Sequence, residues 1–282
     1  MTTNILVSKQ EQGWRAGFGT LLRKENHAWW GTRQWWMQLL IWTVILNGIM
    51  FAMIEILPQS IPDDGGVYNP EEGVLAFIGL MGLFAPIGAI IAAQGAILDE
   101  KRSGTLESLL ARPVSRASVI LSKLAAYSIN LALTIIVVQG ILAYAQIQIF
   151  DAGDWSAVNF ATAVLLSGLN VIFYLTMTLM LGTLFEGRGA VIGIPMALLL
   201  GYQAVLGLVP EISFYSHYGL SASAAGPESG PLAEMALRGE SLNAITPLIG
   251  TLVLIAVFVA VEHPVKLFAG GNINACRACQ IE

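Results

Sequence analysis

The chain has 282 residues, 55% hydrophobic and only 12% charged, with a formal net charge of −5 and a mean hydropathy of +0.68. That composition excludes an ordinary soluble domain, and the acidic balance argues against a nucleic-acid ligand. The only two cysteines, Cys276 and Cys279, lie together near the C-terminus, so no disulfide framework holds the fold.

Taken from the N-terminus, the chain is expected to carry no cleavable leader, since its first long apolar run begins near residue 35, behind several basic residues. Residues 1–36 are expected to form a cytoplasmic N-terminus and a helix lying in the membrane interface. Trp29, Trp30, Trp35 and Trp36 suit the headgroup layer, and Arg23, Lys24 and Arg33 stand beside them.

A hydrocarbon core of about 30 Å needs about 20 apolar helical residues, and six runs approach that length. They cover roughly 35–57, 74–98, 118–145, 158–185, 189–209 and 244–261. The expected fold is an all-α membrane protein, with six transmembrane helices over 37–262 and a cytoplasmic tail over 263–282. The connections are too short for a separate soluble domain. Pro58, Pro62, Gly65 and Gly66 make the first loop irregular. The longest loop, 210–243, is too polar to span, but its flanks 212–220 and 232–237 are apolar enough for short re-entrant helices at the outer surface.

Thirteen of the fourteen Lys and Arg residues fall on one side of this scheme, leaving only Arg238 on the other. Both termini are therefore expected in the cytoplasm. The second span carries small residues at Ala85, Ala89, Ala93 and at Gly88, Ala92, Ala96. The fifth carries Gly189, Gly193, Ala197 and Gly201 on one face. Small faces let backbones approach closely, within one chain or between two copies.

No Asp, Lys, Arg or His falls in the middle of a span. A proton relay is thus missing. Asn47, Gln94, Asn130, Gln139, Asn170 and Gln203 are the neutral polar residues there, read as interhelical hydrogen-bonding groups. No Gly-Lys dipeptide occurs, so no phosphate-binding loop of the Walker type is present. Nothing resembles a catalytic triad, and the chain is not expected to be an enzyme by itself. Cys276 and Cys279 form a C-x-x-C pair that supplies only two of the four ligands of a tetrahedral metal site; a second chain would have to supply the rest. It is read as a reduced pair, and no metal or cofactor is assigned to this chain.

The polar stretch between the second and third runs carries the functional signal. Gly104 frees the backbone, and Leu106, Leu109 and Leu110 then share one helical face while Glu107 and Arg112 point elsewhere. Pro113 ends the helix and Ser115 is placed to cap the next one. An apolar row on a cytoplasmic surface helix, residues 103–112, is built to meet another polypeptide.

The run from Glu100 to Lys123, containing Ser103-Gly104-Thr105-Leu106-Glu107, Leu109-Leu110, Pro113 and Arg116, resembles the signature of permease subunits of ABC transporters of the type-2 exporter class. The Trp-rich segment before the first span is similar to the elbow helix of that family. The resemblance implies a prokaryotic plasma-membrane permease, paired with a second copy or a homologous permease, in contact with membrane lipids, and coupled to a separate ATPase subunit that holds ATP and Mg. It implies that 103–112 is the coupling helix, with Glu100, Gly104, Thr105, Leu106, Glu107, Leu109, Leu110 and Arg112 at the ATPase contact. It also places Gly189, Gly193, Ala197 and Gly201 at helix packing or the pathway. The alternative is a non-transporting membrane scaffold that docks a cytoplasmic protein through the same loop.

Overall fold

The structure, a computed structural model, describes residues 17–60, 69–103, 115–201, 204, 207–209, 211–212, 215–221, 231–242 and 245–262. The coupling residues 104–112 and the cysteine pair 276 and 279 lie outside them. The described residues are helical, with no strand among them. In chain order the helices are α1 (Phe18–Trp30), α2 (Gln34–Ile56), α3 (Glu71–Leu83), α4 (Ala85–Arg102), α5 (Ala117–Phe150), α6 (Ala157–Leu184), α7 (Arg188–Leu200), α8 (Tyr218–Ser221), α9 (Leu232–Arg238) and α10 (Thr246–Glu262).

Four stretches are long and apolar enough to cross a bilayer: α2, α3 with α4, α5 and α6. The expected fifth and sixth spans appear as shorter apolar helices, α7 and α10. Helix α7 runs 13 residues to Leu200 with Gly201 at its C-terminal cap, and Ala204, Gly207 and Leu208 beyond it are again helical. Pro195 sits inside the helix without ending it, and its side chain is on the buried face.

Helix α6 is the hub. It is the most enclosed of the long helices and packs against α3, α4, α7, α9 and α10. Both small-residue rows of the second apolar run face inward: Ala85 and Ala89 are fully buried and Ala93 nearly so. At Gly88 the indole of Trp42 lies where a side chain would begin, with Cζ2 2.4 Å from an ideal Cβ position, so α2 and α4 can touch only because Gly88 has none. Outward faces of α2, such as Leu40 and Val44, are exposed, as lipid-facing residues should be.

A break at Phe84 separates α3 from α4, and its cause is Pro86. Proline has no N–H to give the carbonyl four residues back, which is that of Gly82. The side-chain amide of Asn170 in α6 donates to that carbonyl at 2.9 Å instead. A polar residue in mid-helix thus replaces a hydrogen bond that the proline removed.

Helices α2 and α5 are joined by another polar set. Gln139 Oε1 accepts from Asn47 Nδ2 at 2.7 Å and from Thr43 Oγ1 at 3.1 Å, and Gln146 Nε2 donates to Asn47 Oδ1 at 3.2 Å. Widened helical turns sit at this level, Thr43–Asn47 in α2 and Ala132–Val137 in α5. Within the second, the Thr134 carbonyl accepts from Gln139 Nε2 at 3.1 Å.

The loop 210–243 does not simply cross the surface. Ser221 in α8 reaches Asn170, which lies about 20 Å down α6 from Ala157. Tyr218 donates to the Leu198 carbonyl at 2.8 Å, and Gly239, just after α9, is back beside Asn159 near the start of α6.

Candidate functional site: the basic end of the bundle

The basic residues Lys24, Lys101, Arg102, Lys123 and Arg188 gather at one end of the bundle, around the two ends of the 104–114 segment. Each has a partner there. Helix α1 sets Leu21, Glu25 and Trp29 on one face by their spacing of four, and that face meets α5. The pairings keep step along the two helices. Lys123 Nζ lies 2.9 Å from Glu25 Oε1, Trp29 meets Tyr127 edge-to-face at 5.8 Å, and Trp30 Nε1 donates to Asn130 Oδ1 at 2.9 Å. Asn130 in turn donates to Asn26 Oδ1 at 3.0 Å.

Lys123 also lies 3.0 Å from Glu100 Oε1 at the end of α4, and Lys24 reaches the same oxygen at 3.3 Å. The result is a charge-balanced quartet of two ammonium and two carboxylate groups. The Lys123 side chain is only 5% exposed, with Glu25 and Glu100 at 12% and 15%, so this set is largely shielded from water. Pairing is what permits such burial.

The last turn of α4 is fixed to α6 and α7 as well. Lys101 Nζ donates to the carbonyls of Gly182 at 2.8 Å and Thr183 at 2.7 Å, which a helix C-terminus leaves without intrahelical partners. Arg102 donates to the Glu186 carbonyl at 3.3 Å, and Arg188 forms an ion pair with Asp99. On the far side of 104–114, Ser115 caps the helix that follows, accepting from Ser118 N–H at 3.0 Å, as its sequence position predicts. Between these anchors runs a polar groove of about 370 Å³, with Gln34, Gln94, Asp99, Glu100, Lys123 and Arg188 in its walls.

Of the residues expected at the ATPase contact, Glu100 alone is described, and its carboxylate faces Lys123 and Lys24 within the chain. Trp29, expected at the headgroup layer, is buried against Tyr127 instead. Gly189, Gly193 and Ala197 are exposed, and nothing described lies within 4 Å of a side chain built on either glycine. The buried face of α7 is the other one, through Val191, Pro195 and Leu199. The small-residue row of α7 therefore makes no internal helix contact among the described residues.

A second polar cluster escaped the sequence. His217, in the connection between α7 and α10, stacks on Phe173 at 3.9 Å, and its Nε2 shares a hydrogen bond with Tyr174 at 3.0 Å. The signal that could have found it is a histidine next to Tyr218 in a loop otherwise apolar enough to fold inward.

The family model for ABC-2 family transporter proteins matches residues 33–261. The chain belongs to that family. An ABC-2 transporter chain is a multi-pass membrane component of a transporter and not a catalyst by itself, and permeases of this family generally partner with an ATPase subunit. The match starts at α2 and ends in α10, so it takes in the groove, the 104–114 segment and the hub helix, but not α1. Comparison with curated proteins yields no match.

Proposed function

We propose that this ABC-2 chain is the permease subunit of an ATP-driven exporter, forming the pathway as a dimer while a separate cytoplasmic ATPase subunit binds ATP and Mg. The observation that carries the reading is the arrangement around 104–114. In this reading Gly104, Thr105, Leu106, Glu107, Leu109, Leu110 and Arg112 belong to a leucine-faced coupling segment, and the chain on either side of it is tied into five helices, α1, α4, α5, α6 and α7. The chain has no phosphate-binding loop, so the work must be delivered to it from outside, and the anchored helix ends at Ser103 and Ser115 are placed to receive it. Glu100 contributes by holding the root of the segment through Lys123 and Lys24 rather than by touching the ATPase.

In this reading the basic end faces the cytoplasm of a prokaryotic cell, a placement supported by the thirteen of fourteen basic residues on that side. Helix α1 is the interfacial elbow, α7 and α10 belong to the fifth and sixth spans, and α8 and α9 are re-entrant elements dipping toward the middle of α6. The outward row Gly189, Gly193 and Ala197 seats a second permease or lines the pathway.

The test is the double substitution Glu107→Arg with Leu109→Asp. It should abolish co-purification with the ATPase subunit and substrate-stimulated ATP turnover, while membrane insertion stays normal. Unchanged co-purification overturns the docking assignment. Intact ATPase docking with no transported compound in any reconstituted system would leave the scaffold reading standing instead.

A further inference from the structure

Away from the basic end, a cavity of about 300 Å³ lies between α3, α6, α8 and α9. Its walls are mostly apolar, formed by Leu75, Ile78 and Leu83 of α3 and by Leu199 at the end of α7. Gly79 and Gly82 open the α3 wall, and at Gly82 the side chain of Ser221 already fills the space a Cβ would take. Asn170 lies in the lining and is 4% exposed.

The orientation of the Asn170 amide is settled by chemistry. Its nitrogen must face the Gly82 carbonyl, which can only accept, and it also reaches Ser221 Oγ at 3.2 Å. The amide oxygen is left buried with no hydrogen-bond partner among the described residues. The neighbouring tyrosine hydroxyls are committed: Tyr218 donates to the Leu198 carbonyl, and Tyr174 is bonded to His217. A buried acceptor without a donor is costly, and native structures rarely leave one unmet.

We propose that this cavity binds a small uncharged amphiphile, an aliphatic or aromatic alcohol or amide, whose hydroxyl or N–H donates to Asn170 Oδ1. The volume is at the small end for ligand sites and equals about ten waters at ~30 Å³ each. Water can find polar partners along the Ser221, Tyr218 and Glu234 side, but the Leu75, Ile78, Leu83 and Leu199 walls supply none and suit an apolar group. A lipid acyl chain fits the walls but brings no donor to Asn170. Charged ligands are disfavoured, since the one ionised group in the lining, Glu234, is already paired with Arg238 at 3.0 Å. The proposal requires neither the dimer nor coupling to an ATPase.

The experiment uses the full chain in nanodiscs of phosphatidylethanolamine and phosphatidylglycerol, photolabelled with an eight-carbon alcohol carrying a diazirine, with labelled peptides located by mass spectrometry. Label should concentrate on α3, α6 and α9. 1-Octanol should compete about tenfold better than its methyl ether, the factor expected for one donated hydrogen bond. Asn170→Leu should erase that preference. Because Asn170 also supports Gly82, Gly79→Phe provides an independent variant: nothing lies within 4 Å of its added Cβ, so the ring grows into the cavity, and labelling should fall at least tenfold while the protein remains inserted and monodisperse. Equal competition by alcohol and ether, or labelling spread over the lipid-facing helices and indifferent to Gly79→Phe, overturns the proposal.

Discussion

Replacing Lys123 by methionine tests the charge quartet most directly. The two carboxylates, Glu25 and Glu100, each lie about 3 Å from the same ammonium, so they are no more than ~6 Å apart. With Lys123 gone, their mutual repulsion at an effective dielectric of about 20 is roughly 3 kcal/mol. That figure agrees with the ~3–5 kcal/mol typical of breaking a buried ion pair on one side only. Lys24 relieves little of it, because it sits more than half exposed. The expected outcome is a fall in the thermal midpoint of roughly 5–10 °C, measured by fluorescence in detergent or nanodiscs, with α1 becoming accessible to protease before the other helices. The triple variant Lys123→Met, Glu25→Gln, Glu100→Gln removes the repulsion along with the attraction and should recover most of the loss. If the single variant is unchanged, the quartet behaves as a solvated surface pair. If the triple variant is no better than the single one, the effect comes from lost packing and the electrostatic reasoning fails.

Three other perturbations follow from the same geometry. Gly88→Val drives a side chain into the Trp42 indole and should destabilise the α2–α4 contact by about 1–3 kcal/mol, read as a lower midpoint and partly relieved by Trp42→Leu. Gln139→Leu strips Asn47 and Thr43 of their shared acceptor and should cost about 1–2 kcal/mol, near the upper range for polar contacts within membranes. Gly193→Cys should give a disulfide-linked dimer of the chain under mild oxidation if the α7 row faces a second copy, whereas Leu199→Cys on the buried face should not; a monomeric Gly193→Cys band sends that row to the pathway.

How far the sequence went depends on whether a feature is local. The four long helices were visible because a run of apolar residues longer than a bilayer needs no information from elsewhere. Ser115 was visible because a cap and the proline before it lie within three residues of the helix they start. What was missed depends on partners far along the chain. Trp29 reads as an interfacial tryptophan until Tyr127 is placed beside it. Glu100 reads as a docking contact, and its place in the ion-pair set depends on Lys123, which lies 23 residues further on. Asn170 reads as one of several mid-span polar residues, and its role follows only from Pro86, which frees the carbonyl of Gly82.

The anchors around the 104–114 segment constrain how a push there can travel. On the N-terminal side, α4 is fixed by Lys101 to the last carbonyls of α6 and by Asp99 to the start of α7. On the C-terminal side, α5 is fixed to α1 by Lys123 and by Asn130. Glu100 joins the two sides through Lys123. A displacement applied between Ser103 and Ser115 therefore cannot move one helix alone. It must either carry α1, α4, α5 and the facing ends of α6 and α7 together, or break a shielded ion pair at about 3 kcal/mol. The polar bridge between α2 and α5 is weaker, built from neutral groups beside widened helical turns. It is the joint at which such a block would yield first. Cross-linking α2 to α5 at that level should therefore suppress transport while ATPase docking persists, and crosslinked protein that still transports would place the joint elsewhere.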